Sequence, residues 1–141
     1  MTITAYDAGS LALLGSVLGI WAHPDDETYS CGGLFAAAAD AGNRVACVTA
    51  TRGEAGSLDQ VRWPPESLGE VRTRELDVAL GMLGVSEHYW LDYADGGCAQ
   101  VDAESAVRRL VAIIKDVQPD TILTFGPDGM TGHADHIAIC E

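Results

Sequence analysis

The sequence predicts an α/β fold, a Rossmann-like, mostly parallel sheet with helices on both faces in three α/β/α layers. Three observations carry that prediction. Short apolar, β-rich runs alternate with longer runs of helical period, as in successive βα units. Each strand-like run is followed at once by a polar cluster: "HPDDE", "TRGEAG", "DYADGG" and "GPDGMTGHADH". In open parallel sheets ligands gather outside the carboxyl ends of the strands, so four such clusters would share one rim. Finally, 141 residues without internal repeat, low-complexity tract or linker make one domain's worth of chain, spanning 1–141.

The elements follow in order. Gly15 to Ala22 ("GSVLGIWA") reads as a buried strand, and Glu27 to Ala41 as an alanine-rich helix stopped by Gly42. "RVACVTAT" at 44–51 is a second β-rich run. Residues 52–66, with glycines and the Pro64-Pro65 pair, form a long irregular connection of the kind that is usually functional. From Ser67 to Leu83 the chain turns helical, with Leu76, Ala79, Leu80 and Leu83 on one face and Gly84 as a stop. "HYWLDY" at 88–93 suits a strand. Asp102 is placed to cap a further helix in which Val107, Leu110, Val111, Ile114 and Val117 repeat at the helical period before Pro119. "DTILTFG" at 120–126 is the last clear strand. Tyr29 and Trp90 are expected in the core, and Trp63 either as a lid on a ligand or as a loop anchor.

Composition limits the function. A formal charge of −13 and a pI near 4.4 would repel nucleic acid and an anionic membrane surface alike, which leaves a neutral or cationic small molecule as the expected partner. Cys31, Cys47, Cys98 and Cys140 have no CxxC spacing and read as free thiols in a reducing compartment. The apolar run from Leu11 to Trp21 follows no Lys or Arg and falls short of the ~20 residues of a membrane span. A cytoplasmic location is therefore expected.

The chemistry concentrates in two motifs. His23 and Asp26 are three apart at a strand end, and His133 and His136 are three apart at a helix start, where such side chains share a face. Three carboxylates in the "HPDDE" block repel one another unless a cation or hydrogen bonds offset them. One carboxylate and two imidazoles suit Zn²⁺, whose catalytic sites keep three protein ligands and an open position. The triad read from the residues is His23, Asp26 and one of His133 and His136. Asp25 is left to take a proton from an activated water, and the unused histidine to polarise a carbonyl or protonate a leaving group.

"AHPDDE", "TRGEAG", "GEVRTRELDVALGMLGV" and "GPDGMTGHADHIAI", in that order, resemble the LmbE/PIG-L family of zinc-dependent N-deacetylases. Members remove acetyl groups from N-acetylglucosamine-containing substrates, including the phosphatidylinositol-anchored sugar, mycothiol and bacillithiol precursors, and some glycopeptide antibiotics. The resemblance implies that His23, Asp26 and His136 bind Zn²⁺, with Fe²⁺ as the cellular alternative, and that Asp25 is the general base. It implies that His133 stabilises the tetrahedral intermediate or protonates the departing amine, with Asp135 as its modulator. Glu54, Arg72 and Asp95 would hold the sugar of an N-acetyl amino sugar conjugate. On the residues alone Arg72 could equally pair with Glu75, and Asp95 could be a turn residue. An amidase of a thiol conjugate and a non-catalytic metal-holding module are the alternatives.

Three departures from the family pattern stand out. His133-Ala134-Asp135-His136 replaces HPDH, and Thr131 stands where some relatives have an oxyanion-binding tyrosine. Only Ile137 to Glu141 follow His136, whereas family domains continue well beyond. A truncated form is expected, with exposed sheet that another copy could cover in a homo-oligomer.

Overall fold

The structure, a computed structural model, describes residues 8–141. A short helix, α1 (Ala8–Ala12), leads into β1 (Val17–Trp21), α2 (Asp26–Asp40), β2 (Val45–Thr51), α3 (Pro65–Met82) and β3 (Glu87–Tyr93). A 3₁₀ turn at Cys98–Gln100 precedes α4 (Ala103–Val117), β4 (Thr121–Leu123), α5 (Gly129–Gly132) and α6 (Ala134–Cys140). The four strands are parallel in the order β3-β2-β1-β4, with Val17 level with Val45 on one side and Thr121 on the other. The predicted fold class is the observed one.

Strand alternation builds two cores. Val17, Trp21, Val45 and Cys47 face one side, where they meet Phe35 and Ala38 of α2 and Leu76 and Leu80 of α3. Leu18, Ile20, Ala46 and Val48 face the other, against Ile113 and Val117 of α4. All of β1 and β2 is buried, the near-continuous apolar reading expected of central parallel strands. The chain steps outward from β1 to β3 with helices on one face, then returns past the other face to lay β4 beside β1. The strand order therefore reverses between β1 and β4, and a crevice opens there at their carboxyl ends.

Helix ends match their signals. Asp102 accepts from the Ser105 amide at 2.8 Å as the cap of α4, and Pro65 occupies the first turn of α3, where no amide donor is needed. Three details differ from expectation. On α4 Val107 and Val111 are exposed, and Ile113, not on the predicted stripe, is buried instead. The last strand pairs only over 121–123, because the Thr124 hydroxyl donates to the Ile20 carbonyl at 2.9 Å and Phe125 turns inward against Trp21. Tyr29, expected in the core, is 84% exposed on the first turn of α2. The stretch before β1 is partly helical, and among the described residues no helix is long and apolar enough to cross a membrane. The four cysteines are free, as expected.

Candidate metal centre and active site

β1 delivers His23 to the crevice, and the next residues reverse the chain into α2. Asp25 caps that helix at φ 101°, a left-handed conformation that a non-glycine residue adopts at a cost of order 1–3 kcal/mol. The reversal sets the first helical residue, Asp26, back toward the strand end, where its Oδ2 accepts from the His23 amide at 2.8 Å. From the other side of the crevice, β4 passes into Phe125 and the α5 turn, and His133 caps α6 by accepting from the Asp135 amide through Nδ1 at 3.2 Å. One helical turn later His136 lies flat on Phe125, with centroids 4.0 Å apart and planes at 6°.

The two motifs meet. His23 Nδ1 lies 3.1 Å from His136 Nε2, and the Asp26 carboxylate is 3.4 Å from each of these nitrogens. Ligands at ~2.0–2.1 Å in tetrahedral array stand about 3.3 Å apart, so this donor set has the dimensions of a zinc site. Proton placement agrees. The Gly129 carbonyl, 2.9 Å from His136 Nδ1, can only accept, so that nitrogen carries the hydrogen and Nε2 presents a lone pair. His23 Nε2 sits between Asp95 Oδ1 at 3.0 Å and Asp135 Oδ2 at 3.1 Å, which likewise turns the Nδ1 lone pair inward. Two facing lone pairs at 3.1 Å need a proton or a cation between them. Burial opposes a charge on His23, yet the hydrogen bonds to Asp26 and Asp95 outweigh it and raise the imidazole pKa to about 10. His133 is the exposed member of the cluster, with one ring nitrogen within 4.8 Å of donors on both other histidines.

Around this centre the remaining predicted residues act mainly on the protein. Asp135 is fully buried and accepts from the Gly96 amide at 2.7 Å and the Cys98 amide at 2.9 Å while holding His23, so it anchors that ring and the loop after β3. Asp95, expected on the sugar, has one oxygen on His23 and the other on the Ala55 amide at 2.9 Å. Glu54 Oε1 accepts from the Asp95 amide at 2.9 Å, and its Oε2 is buried without a partner. Arg72 does not pair with Glu75. Its guanidinium bonds Asp25 at 2.8 Å and the Gly53 carbonyl at 3.1 Å, and also reaches the Pro24 carbonyl, tying the loops after β1 and β2 to α3. Gly53 sits at φ +64°, and a Cβ there would collide with that guanidinium. Burial raises the pKa of Asp25, with Arg72 pulling the other way.

Sequence reasoning passed over Phe125, whose stack fixes the plane of His136, and the Gly96 and Cys98 amides that neutralise Asp135. An aromatic in "TFGPDG", at the end of a strand leading to a histidine pair, was the available signal for the first. Backbone donors leave no signal in side-chain identity.

The comparisons now decide the family. Residues 18–141 match the family described as PIG-L: GlcNAc-PI de-N-acetylase. The chain belongs to the PIG-L family. It is 33% identical to a 1D-myo-inositol 2-acetamido-2-deoxy-alpha-D-glucopyranoside deacetylase of Kineococcus radiotolerans, over 89% of this chain and 42% of that protein. A deacetylase of the same name from Mycobacterium bovis is 37% identical over 86% of this chain and 47% of the relative. The PIG-L chain thus spans about half the length of these curated relatives. Among solved structures, the N,N'-diacetylchitobiose deacetylase of Pyrococcus horikoshii superposes with a TM-score of 0.76 at 31% identity, covering 89% of this chain and 46% of that one. The hydratase GalB of Pseudomonas putida, at 22% identity and a TM-score of 0.77 over 89% of this chain and 52% of its own, shares the fold.

Proposed function

We propose that this chain carries the catalytic centre of a zinc-dependent N-deacetylase that removes the acetyl group from an N-acetylglucosamine-containing small-molecule conjugate. The observation that supports it best is the meeting of His23 and Asp26 with His136 at 3.1 to 3.4 Å, beside a carboxylate, Asp25, that the donor set does not need. Relatives named for a myo-inositol glucosaminide and for diacetylchitobiose share a 2-acetamido-2-deoxyglucose ring, and that ring defines the substrate class.

His23, Asp26 and His136 would hold the metal, Zn²⁺ by donor chemistry, with Fe²⁺ as an alternative in the cell. When bound, it supplies Lewis-acid activation of a water and of the acetamide carbonyl. Asp25 takes the proton that the attacking water loses. Its partial burial favours holding that proton, and Arg72 fixes the carboxylate that receives it. His133 accepts the Asp135 amide through Nδ1, so its hydrogen sits on Nε2, free to hydrogen-bond the developing oxyanion, and the proton that Asp25 took from the water passes to the leaving nitrogen. Thr131 is too short to add a second donor beyond the metal centre, where its hydroxyl lies 3.4 Å from His136. The acetamide C–N bond breaks, and acetate and a free amine leave. Asp95 and Asp135 are positioning residues for His23. Glu54 holds the Asp95 backbone through Oε1, and its second oxygen is buried rather than presented to a substrate.

Acetate release from N-acetylglucosamine conjugates, measured on zinc-supplied protein, tests this reading. Release from at least one such conjugate is expected. Zinc bound with no release from any would favour a metal-holding binding module.

A further inference from the structure

Of the three acids in "HPDDE", Asp26 belongs to the metal donors and Asp25 is the proposed base, which leaves Glu27 without a role. Glu27 is fully buried, and among the described residues no cation pairs with it. Its Oε2 accepts from the Asp25 amide at 3.2 Å and its Oε1 from the Thr28 hydroxyl at 2.6 Å. At an ordinary helix start the cap side chain accepts from an amide of the first turn, and an acid of that turn reaches back to the cap amide. Here only the second half is made. Asp25 is the cap residue of α2 yet makes no side-chain cap bond, because its carboxylate is turned to Arg72 at 2.8 Å.

Resting on the deacetylase reading above, we propose that Glu27 is a positioning residue for the reaction: it holds the left-handed turn at Asp25 through that residue's amide, as a hydrogen-bond acceptor rather than as a charge. Asp25 at φ 101° and ψ −26° is in a strained conformation, and such strain persists only where the surroundings fix it. Arg72 fixes the carboxylate, and the Tyr29 amide holds the Asp25 carbonyl at 2.9 Å. Glu27 fixes the remaining group, the Asp25 amide. Without an acceptor there, a partly buried amide loses its bond at a cost comparable with that of the strain itself. Relaxation to an unstrained φ would then swing the Asp25 carboxylate away from Arg72. A negative charge on Glu27 would only add to the repulsion from Asp25 and Asp26, so the acceptor oxygen is what the turn uses.

Glu27→Gln and Glu27→Met test this as a pair. Both are neutral and close to Glu in length, but only Gln has an oxygen for the Asp25 amide, with an NH₂ left to donate to the Thr28 hydroxyl. On zinc-supplied protein Glu27→Gln should keep kcat for acetate release within about threefold, while Glu27→Met should lower it by ~10–100-fold with KM and zinc content unchanged, as for a catalytic group displaced by about an ångström. In an Asp25→Asn background Met should cost nothing beyond Gln, since Glu27 acts only through Asp25. Hydrogen exchange at the Asp25 amide gives a readout free of turnover: slow in wild type and Glu27→Gln, faster in Glu27→Met. Equal rates of acetate release in the two variants, loss of zinc in Glu27→Met, an additive loss with Asp25→Asn, or exchange unchanged by Met would each overturn the proposal. No acetate release from wild type, with exchange behaving as stated, would instead remove the deacetylase reading and leave Glu27 as the holder of the turn.

Discussion

Asp25 and Asp26 are neighbours in sequence and opposites in role because one left-handed residue separates their directions. Asp26 is buried against two imidazoles, while Asp25 is half exposed and held by Arg72. Asp25→Asn keeps the shape and removes the proton acceptor. It should lower acetate release by ~10²–10⁴-fold with zinc content unchanged, and a wild-type rate would remove Asp25 as the base. Phe125 acts one step further out. Phe125→Leu keeps an apolar filler but loses the flat stack on His136, so zinc affinity, read by competition with a chromogenic chelator, should fall by about 10-fold or more. An unaltered affinity would mean that the Gly129 carbonyl alone sets the ring.

The supports of the centre are also tested element by element. α4 presents the second core face through Ile113 and Val117 and starts at Asp102. Asp102→Ala leaves the Ser105 amide without its acceptor and should lower stability by about 1 kcal/mol, read as a shifted urea midpoint with unchanged slope. Most elements could be read from the sequence, since continuous apolar runs and runs of helical period are set by burial, and those patterns located β1, β2, α2 and α3 within a few residues. The α4 stripe holds only in part, because Leu110, Ile114 and Val117, joined by Ile113, pack against the sheet while Val107 and Val111 turn outward. β4 was read too long because Thr124 and Phe125 have strand propensity yet are turned aside by contacts from β1 and α6. At the site, residue type and spacing picked out the side chains that meet in the crevice but neither the choice between His133 and His136 nor their orientation. Asp95 and Asp135 look like substrate or proton-transfer groups in a sequence, and only the fold brings both onto His23 Nε2.

Across the whole molecule, proton binding is linked to stability at a partly buried histidine of β3. His88 on β3 bonds Thr49 at 3.0 Å, and burial lowers its pKa from 6.5 to about 4. The unfolded chain therefore binds a proton there that the folded chain refuses between about pH 6.5 and 4. The corresponding stability is full above pH 6.5 and is lost as the pH falls toward 4, by roughly 2 kcal/mol at pH 5. His88→Gln, which can keep a bond to Thr49, should flatten the fall in urea midpoint between pH 7 and pH 5. An equally steep fall in the variant would place the acid sensitivity elsewhere. The central claim also belongs to this scale, because it joins motifs 113 residues apart across the switch between β1 and β4. It is tested most directly by zinc content per chain in wild type and in His136→Ala. About one zinc per wild-type chain, lost in the variant, is the predicted result; no zinc in supplied wild type, or full retention by His136→Ala, would contradict it.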